Sequence, residues 1–267
     1  IVFVCAAGAL PFIGYGYWHG QQNNKQLEQI GFNAPDAAAL HRMDLASFTV
    51  DWDALRAINP DVVGWIYVPG TTVNFPIVHG TDDEHYLKTD FYGQTSWVSF
   101  GSIFLSAANA ADFSDANNIV YGHHMNDGSM FSPFADFGDA DTFNGHRTVY
   151  VFTPTANYQL TTFSIVHCAA DDPLAQTTFA SEQERQAYVQ DKVDRSVVTV
   201  AGLPSAADMK HTFAFSTCDN LASNGRWVLF AYESGSTAAA SSVVADDSNI
   251  NPEDVAAVSE AAKETAA

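Results

Sequence analysis

Positive charge is what this chain most lacks. Its 267 residues hold 11 Lys and Arg against 31 Asp and Glu, for a formal net charge of −20. A nucleic-acid binder must neutralise phosphates with a basic surface, so that class of function is excluded. Docking on anionic lipid through a polybasic patch is excluded on the same ground. Cysteine is scarce as well. Cys5, Cys168 and Cys218 are far apart in sequence, too few for a disulfide framework and without zinc-ligand spacing. No HExxH, no GxxxxGK[ST] and no GxGxxG after a strand occurs, so no metal or cofactor is expected. Disorder is not expected either, because 47% hydrophobic and 13% aromatic residues supply a sizeable core.

Charge is missing altogether from residues 1–18, IVFVCAAGALPFIGYGYW; the first charged residue is Lys25. A run of about 18 apolar residues matches the thickness of a bilayer core. Its Tyr-Gly-Tyr-Trp end suits an interfacial aromatic belt better than a small-residue cleavage site. The expectation is an uncleaved single-pass membrane anchor over 1–18, truncated at its N-terminus. A polar stalk or N-terminal helix follows over 19–46. The folded domain is expected over 47–234. A flexible tail rich in Ala, Ser and acid is expected over 235–267, where bulky apolar residues are few.

Within the domain, strand signals recur. VVGWIYV, NFPIV, GSIFL, NNIVYG, RTVYVF, NYQLTTFSIVHCA, HTFAFSTC and RWVLFAY are rich in Val, Ile, Phe, Tyr and Thr, and turn residues separate them. Eight strands in under 190 residues are too dense for a βαβ sheet. The pattern predicts a mostly β barrel or sandwich. Asp51 or Asp53 is placed to cap a short helix ending before Pro60. SMFSPFADF reads as another short helix. SEQERQAYVQDKVDRS reads as a longer one, with Ser181 and Glu184 spaced as a capping box.

Three residues carry possible chemistry. Cys218 ends an apolar strand where it meets the polar loop DNLASNG, a place from which a thiol can react. A buried structural cysteine is the bland alternative. A nucleophilic Cys needs a nearby His or cation to lower its pKa. Of nine histidines, His123 stands out, because it follows the strand NNIVYG and opens the turn HHMNDG. Its neighbour His124 points the other way on an extended chain, which argues against a metal pair. Arg226 opens the strand after Cys218 and is suited to an oxyanion or a substrate carbonyl. Pairing with one of the many surface carboxylates is its alternative role.

YGHHM with GSMF, then FSTC, then GRWVLFAY, resembles the sortases, and class B in particular. VNFPIVHGTDDEHYL and GSIFLSAAN are similar to further class B stretches, and the likeness covers roughly residues 50–233. The resemblance implies an eight-stranded sortase-type β-barrel with an N-terminal helix and a helical insertion before the Cys strand, at about 170–210. It implies a cysteine transpeptidase with Cys218 as nucleophile, His123 as general acid and base, and Arg226 steadying substrate and oxyanion. Ser216, Thr217, Asn74 and Val78 are then expected to bind substrate. The implied partners are secreted proteins bearing an NPxTx-like sorting signal, and an amine of a peptidoglycan precursor or a pilin. The implied location is the outer face of a Gram-positive cell membrane. Cys168 is expected to be a buried free thiol, and His124 to matter little. A Cys–His cell-wall endopeptidase of the papain arrangement is disfavoured, because here the His precedes the Cys and the Cys ends a strand. A non-catalytic surface adhesion domain would have no use for the Cys, His and Arg together.

Overall fold

A computed structural model describes residues 2–40, 42–95, 101–172, 176–221 and 224–237; the side chains of residues 2–13, 37 and 38 are also outside the description. The chain begins with helix α1 (Val2–Gly31), followed by α2 (Ala37–Leu40) and α3 (Trp52–Ile58). Asp51 caps α3 by accepting from the Ala54 N–H at 3.0 Å. Eight strands follow: β1 (Val62–Tyr67), β2 (Asn74–His79), β3 (Ile103–Leu105), β4 (Asn117–Tyr121), β5 (Thr148–Phe152), β6 (Asn157–Ala169), β7 (Thr212–Cys218) and β8 (Gly225–Ser236). Two short helices, α4 (Pro133–Asp136) and α5 (Ala140–Gly145), lie between β4 and β5, and α6 (Glu182–Asp194) lies between β6 and β7.

The strands close a barrel in the order β1-β2-β3-β4-β7-β8-β6-β5. The β2–β3 and β4–β7 pairs are parallel and the others are antiparallel. The sandwich alternative is thereby removed. Every strand contributes to the barrel interior, with Ile66, Ile77, Leu105, Val120, Val151, Ile165, Phe215 and Leu229 all buried there; Phe131, Phe134, Phe137 and Phe143 from the α4–α5 segment close it.

Two further apolar layers cover the outside. Leu27, Phe32 and Leu55 from the N-terminal helices and their linker pack on Trp65, Tyr67 and Phe152. Tyr188 and Val189 of α6 pack on Ile119, Ala214, Val228 and Phe230. Strands buried on both faces read as continuous apolar runs, which is why FAFS and WVLFAY show no alternation. The Ser181 half of the expected capping box forms, Ser181 Oγ accepting from the Glu184 N–H, while Glu184 Oε2 accepts from the N–H of Ala180, one residue before the cap, at 2.7 Å. Arg185, buried, pairs with Glu182 and donates to the carbonyl oxygens of Met209, Ala206 and Ala207, tying the return loop to the helix.

Among the described residues, no helix is long and apolar enough to cross a membrane. Most of the anchor expected over 1–18 falls on side chains outside the description. β8 runs to Ser236, and Thr237 N–H donates to Asn157 O at 2.9 Å. The expected tail lies outside the described residues from 238 onward.

Candidate active site

Strand pairing brings Cys218 and Arg226 together. They are direct cross-strand partners in the antiparallel β7–β8 pair, and such partners project from the same face with Cβ atoms about 5 Å apart. Phe213 and Phe215 fill the barrel while Ala214 lies under α6. By alternation Ser216 and Cys218 face outward, and Arg226 with them. The short β7–β8 loop is made by Asn220 and Asn224, which take positive φ values of 56° and 51°, a conformation Asn tolerates better than most residues.

His123 arrives from the neighbouring strand. β4 runs parallel to β7 with Tyr121 opposite Ser216, and the Gly122 N–H donates to Ser216 O at 3.0 Å. Gly122 is required by close packing, because a Cβ there would lie 2.5 Å from both Ile103 Cδ1 and Phe131 Cδ2. The result is one outward-facing cleft of about 230 Å³, lined by His123, Cys218, Arg226, Ser216 and Thr217 together with Asp83, Leu87, Phe104, Tyr121 and Gly122.

The chain as a whole has known relatives. The sortase B of Listeria monocytogenes is 30% identical over 218 residues, covering 79% of this chain and 86% of that protein. The chain belongs to the class B sortases. The Clostridium perfringens sortase B crystal structure matches with a TM-score of 0.64 at 29% identity, over 68% of this chain and 98% of that one. A Staphylococcus aureus sortase B–substrate complex matches with a TM-score of 0.68 at 25% identity, over 80% and 97%. No family model matches the chain. As a class B sortase it is a cysteine transpeptidase with the closed eight-stranded barrel of that class.

The polar contacts of this sortase's cleft assign several protons. His123 Nε2 lies 2.8 Å from Leu87 O. A carbonyl can only accept, so Nε2 carries the hydrogen and Nδ1 of the neutral ring is free to take a proton. Burial pushes the His123 pKa below the ordinary histidine value, and the contact with Leu87 opposes this only in part. Burial, with the Asp83 carboxylate nearby, pushes the Tyr121 phenol up, so a neutral hydroxyl lines the cleft. Asp83 is itself held by Ala107 N–H and Ser106 Oγ. Arg226 Nη1 donates to Gly225 O at 3.0 Å and to Asn224 O at 3.3 Å, so its fork is braced on its own loop.

Not every expected residue joins the cleft. Asn74 is buried at the start of β2 and accepts from Trp65 Nε1 at 2.7 Å. Val78 is fully buried beneath the N-terminal helical layer. Both face the α1 side of the sheet, and neither lines the cleft around Cys218.

Cys168 is free but half-buried, not buried. It pairs with Arg226 from the other side, through β6. Cys168, Arg226 and Cys218 therefore form one row across three strands. The two sulfur-bearing residues sit about 9.5 Å apart, two strand spacings, beyond disulfide reach. Burial and the Asp172 charge push the Cys168 thiol up, which keeps it protonated.

His124, expected to matter little, has contacts of its own. Its Nδ1 donates to Cys218 O at 2.9 Å, and Asn220 Nδ2 donates to His124 O at 2.8 Å. The turn after β4 and the end of β7 are thus clamped to each other. Asp83, Leu87 and Tyr121 were not singled out from sequence. Asp83 and Leu87 lie in TDDEHYL, part of a stretch similar to class B sortases, but its local turn chemistry carries no information about a strand about 130 residues later.

Proposed function

We propose that this sortase cleaves an NPxTx-like sorting signal after its Thr and joins the acyl fragment to an amine of a peptidoglycan precursor or a pilin. The Cys218 thiolate attacks the Thr carbonyl carbon and forms a tetrahedral oxyanion. The C–N bond then breaks. Protonated His123 gives its Nδ1 proton to the leaving amine, and a Cys218 thioester remains. The incoming amine attacks that thioester, His123 takes its proton, and the Cys218 thiolate leaves. One amide replaces another, so the balance needs no oxidant and no nucleotide. The Arg226 guanidinium exchanges a loop carbonyl for the oxyanion or a substrate carbonyl, and its planar fork suits two acceptors at once. Ser216 and Thr217 line the path of the bound peptide.

The observation that carries this reading is the Cys218–Arg226 cross-strand pair with His123 lining the same cleft. Residues 1–18, uncharged throughout, are read as the tether that holds the domain on the outer face of a Gram-positive membrane. The deciding experiment compares wild type and Cys218→Ala on quenched NPxTx, SPxTx and LPxTx peptides, with and without an added amine. Cleavage should vanish in a folded Cys218→Ala protein. Retained cleavage would refute the nucleophile assignment. Fractionation of cells with protease shaving of protoplasts tests the tether, and a protease-protected cytosolic domain would overturn it.

A further inference from the structure

Behind the cleft, at the inner rim of the barrel, lies a polar cluster that the transpeptidase chemistry does not use. Asp219 follows Cys218 directly, yet alternation turns the two side chains to opposite faces of the chain. Cys218 meets the cleft, whereas Asp219 turns inward and is only 6% exposed. Its Oδ2 accepts from His167 Nε2 at 2.9 Å, and its Oδ1 accepts from the Leu221 N–H at 2.9 Å. Its own N–H donates to Gly225 O at 3.1 Å. The carboxylate fills the space a side chain at 225 would need, since a Cβ there would lie 2.3 Å from Oδ2. His167, from β6, stacks on Trp227 with ring centroids 4.4 Å apart. Trp227 is the β8 residue beside Arg226, and it pairs with both His167 and Thr217.

We propose that Asp219 and His167 form a clasp that holds Cys218 and Arg226 in register from behind, making both of them positioning residues for acyl transfer. The inference rests on the reading of Cys218 as nucleophile. Cys218 is the last residue of its strand and Arg226 the second of the next. Strand ends beside an exposed loop are where local opening is cheapest. A displacement of about 1 Å in a reacting group can cost on the order of 10²-fold in rate. A buried carboxylate must keep its donors, because leaving it unpaired is expensive. Asp219 therefore ties β6, the β7–β8 loop and the first residue of β8 into one unit. The two faces of one strand end divide the work, with reactive groups outward and the brace inward.

The test measures single-turnover peptide cleavage by the full chain for His167→Ala, His167→Gln, Asp219→Ala and the double variant. His167→Ala should slow the acyl-transfer step by about 10- to 100-fold with peptide KM changed by no more than about 2-fold. His167→Gln, whose amide still donates, should recover most of the loss. The double variant should be no slower than the worse single one, because partners in one contact are not additive. A wild-type rate in His167→Ala would overturn the clasp. So would a Gln variant as slow as the Ala variant, or a rise in KM in place of a fall in rate. If Asp219→Ala does not fold, the two His167 variants decide alone. Failure of the underlying reading is separate and shows as cleavage retained by Cys218→Ala.

Discussion

Gly122→Ala adds one methyl group where there is no room for it. The new carbon would lie 2.5 Å from Ile103 Cδ1 and from Phe131 Cδ2, and 2.6 Å from Phe131 Cγ. Carbon pairs rest at about 3.5–4.0 Å, so the neighbours must give by roughly 1 Å. Neither can do so freely, because Ile103 is 2% exposed and Phe131 is fully buried. Overpacking of this kind costs about 1–3 kcal/mol. For a domain of this size that lowers Tm by about 2–12 °C. The methyl sits one residue before His123, on the residue whose N–H donates to Ser216 O. A shift of about 1 Å at His123 should cost on the order of 10²-fold in kcat. Gly145→Ala is the control, since nothing lies within 4 Å of its added carbon. Thermal unfolding and steady-state cleavage of a sorting-signal peptide, run on both variants, decide the matter. If Gly122→Ala keeps both the Tm and the kcat of the control, the packing argument for the Gly-His turn is wrong.

Further predictions follow from the same contacts. His123→Ala should lose about 10²–10⁴-fold in kcat, as loss of a general acid–base does. His124→Ala should lose less but measurably, because its hydrogen bond to Cys218 O positions the nucleophile's backbone; an activity equal to wild type would refute the clamp. Arg226→Ala should lose about 10²–10³-fold in single-turnover acylation, with Arg226→Lys recovering only a minor part. Near wild-type acylation by the Lys variant would mean that a positive charge alone suffices. Burial lowers the His123 pKa in the folded state, so the unfolded chain takes up this proton more readily. Stability from this group is therefore full above about pH 6.5 and is lost as pH falls through the lower folded value. His123→Gln should flatten that acid-side loss in a denaturation series, and an unchanged slope would remove His123 as its source.

Local pattern in the sequence was enough to read the eight strands, a helix cap at Asp51 or Asp53 and the Ser181 cap of the longer helix. Each of these depends on residues within a few positions of one another, where propensity and hydrogen-bond geometry act directly. Barrel or sandwich was not decided by pattern, because strands covered on both faces lose the alternation that would show which side is inside. The chemistry was legible only as residue types at strand ends. That Cys218 and Arg226 oppose each other follows from the β7–β8 register, and a one-residue slip would have turned one of them to the wrong face.

Other features were decided only by long-range packing. His123 reaches the cleft through the parallel β4–β7 pairing, across 95 positions of sequence. Asp83 and Leu87 come from the β2–β3 connection, and His167 from β6. Asn74 and Val78 sit in similarly suggestive segments, but their strand turns them toward α1. Sequence by itself determined which groups were available, because side-chain chemistry is a local property. Tertiary structure decided which of them meet, because closing the barrel fixes at once the register and the outward face of every strand.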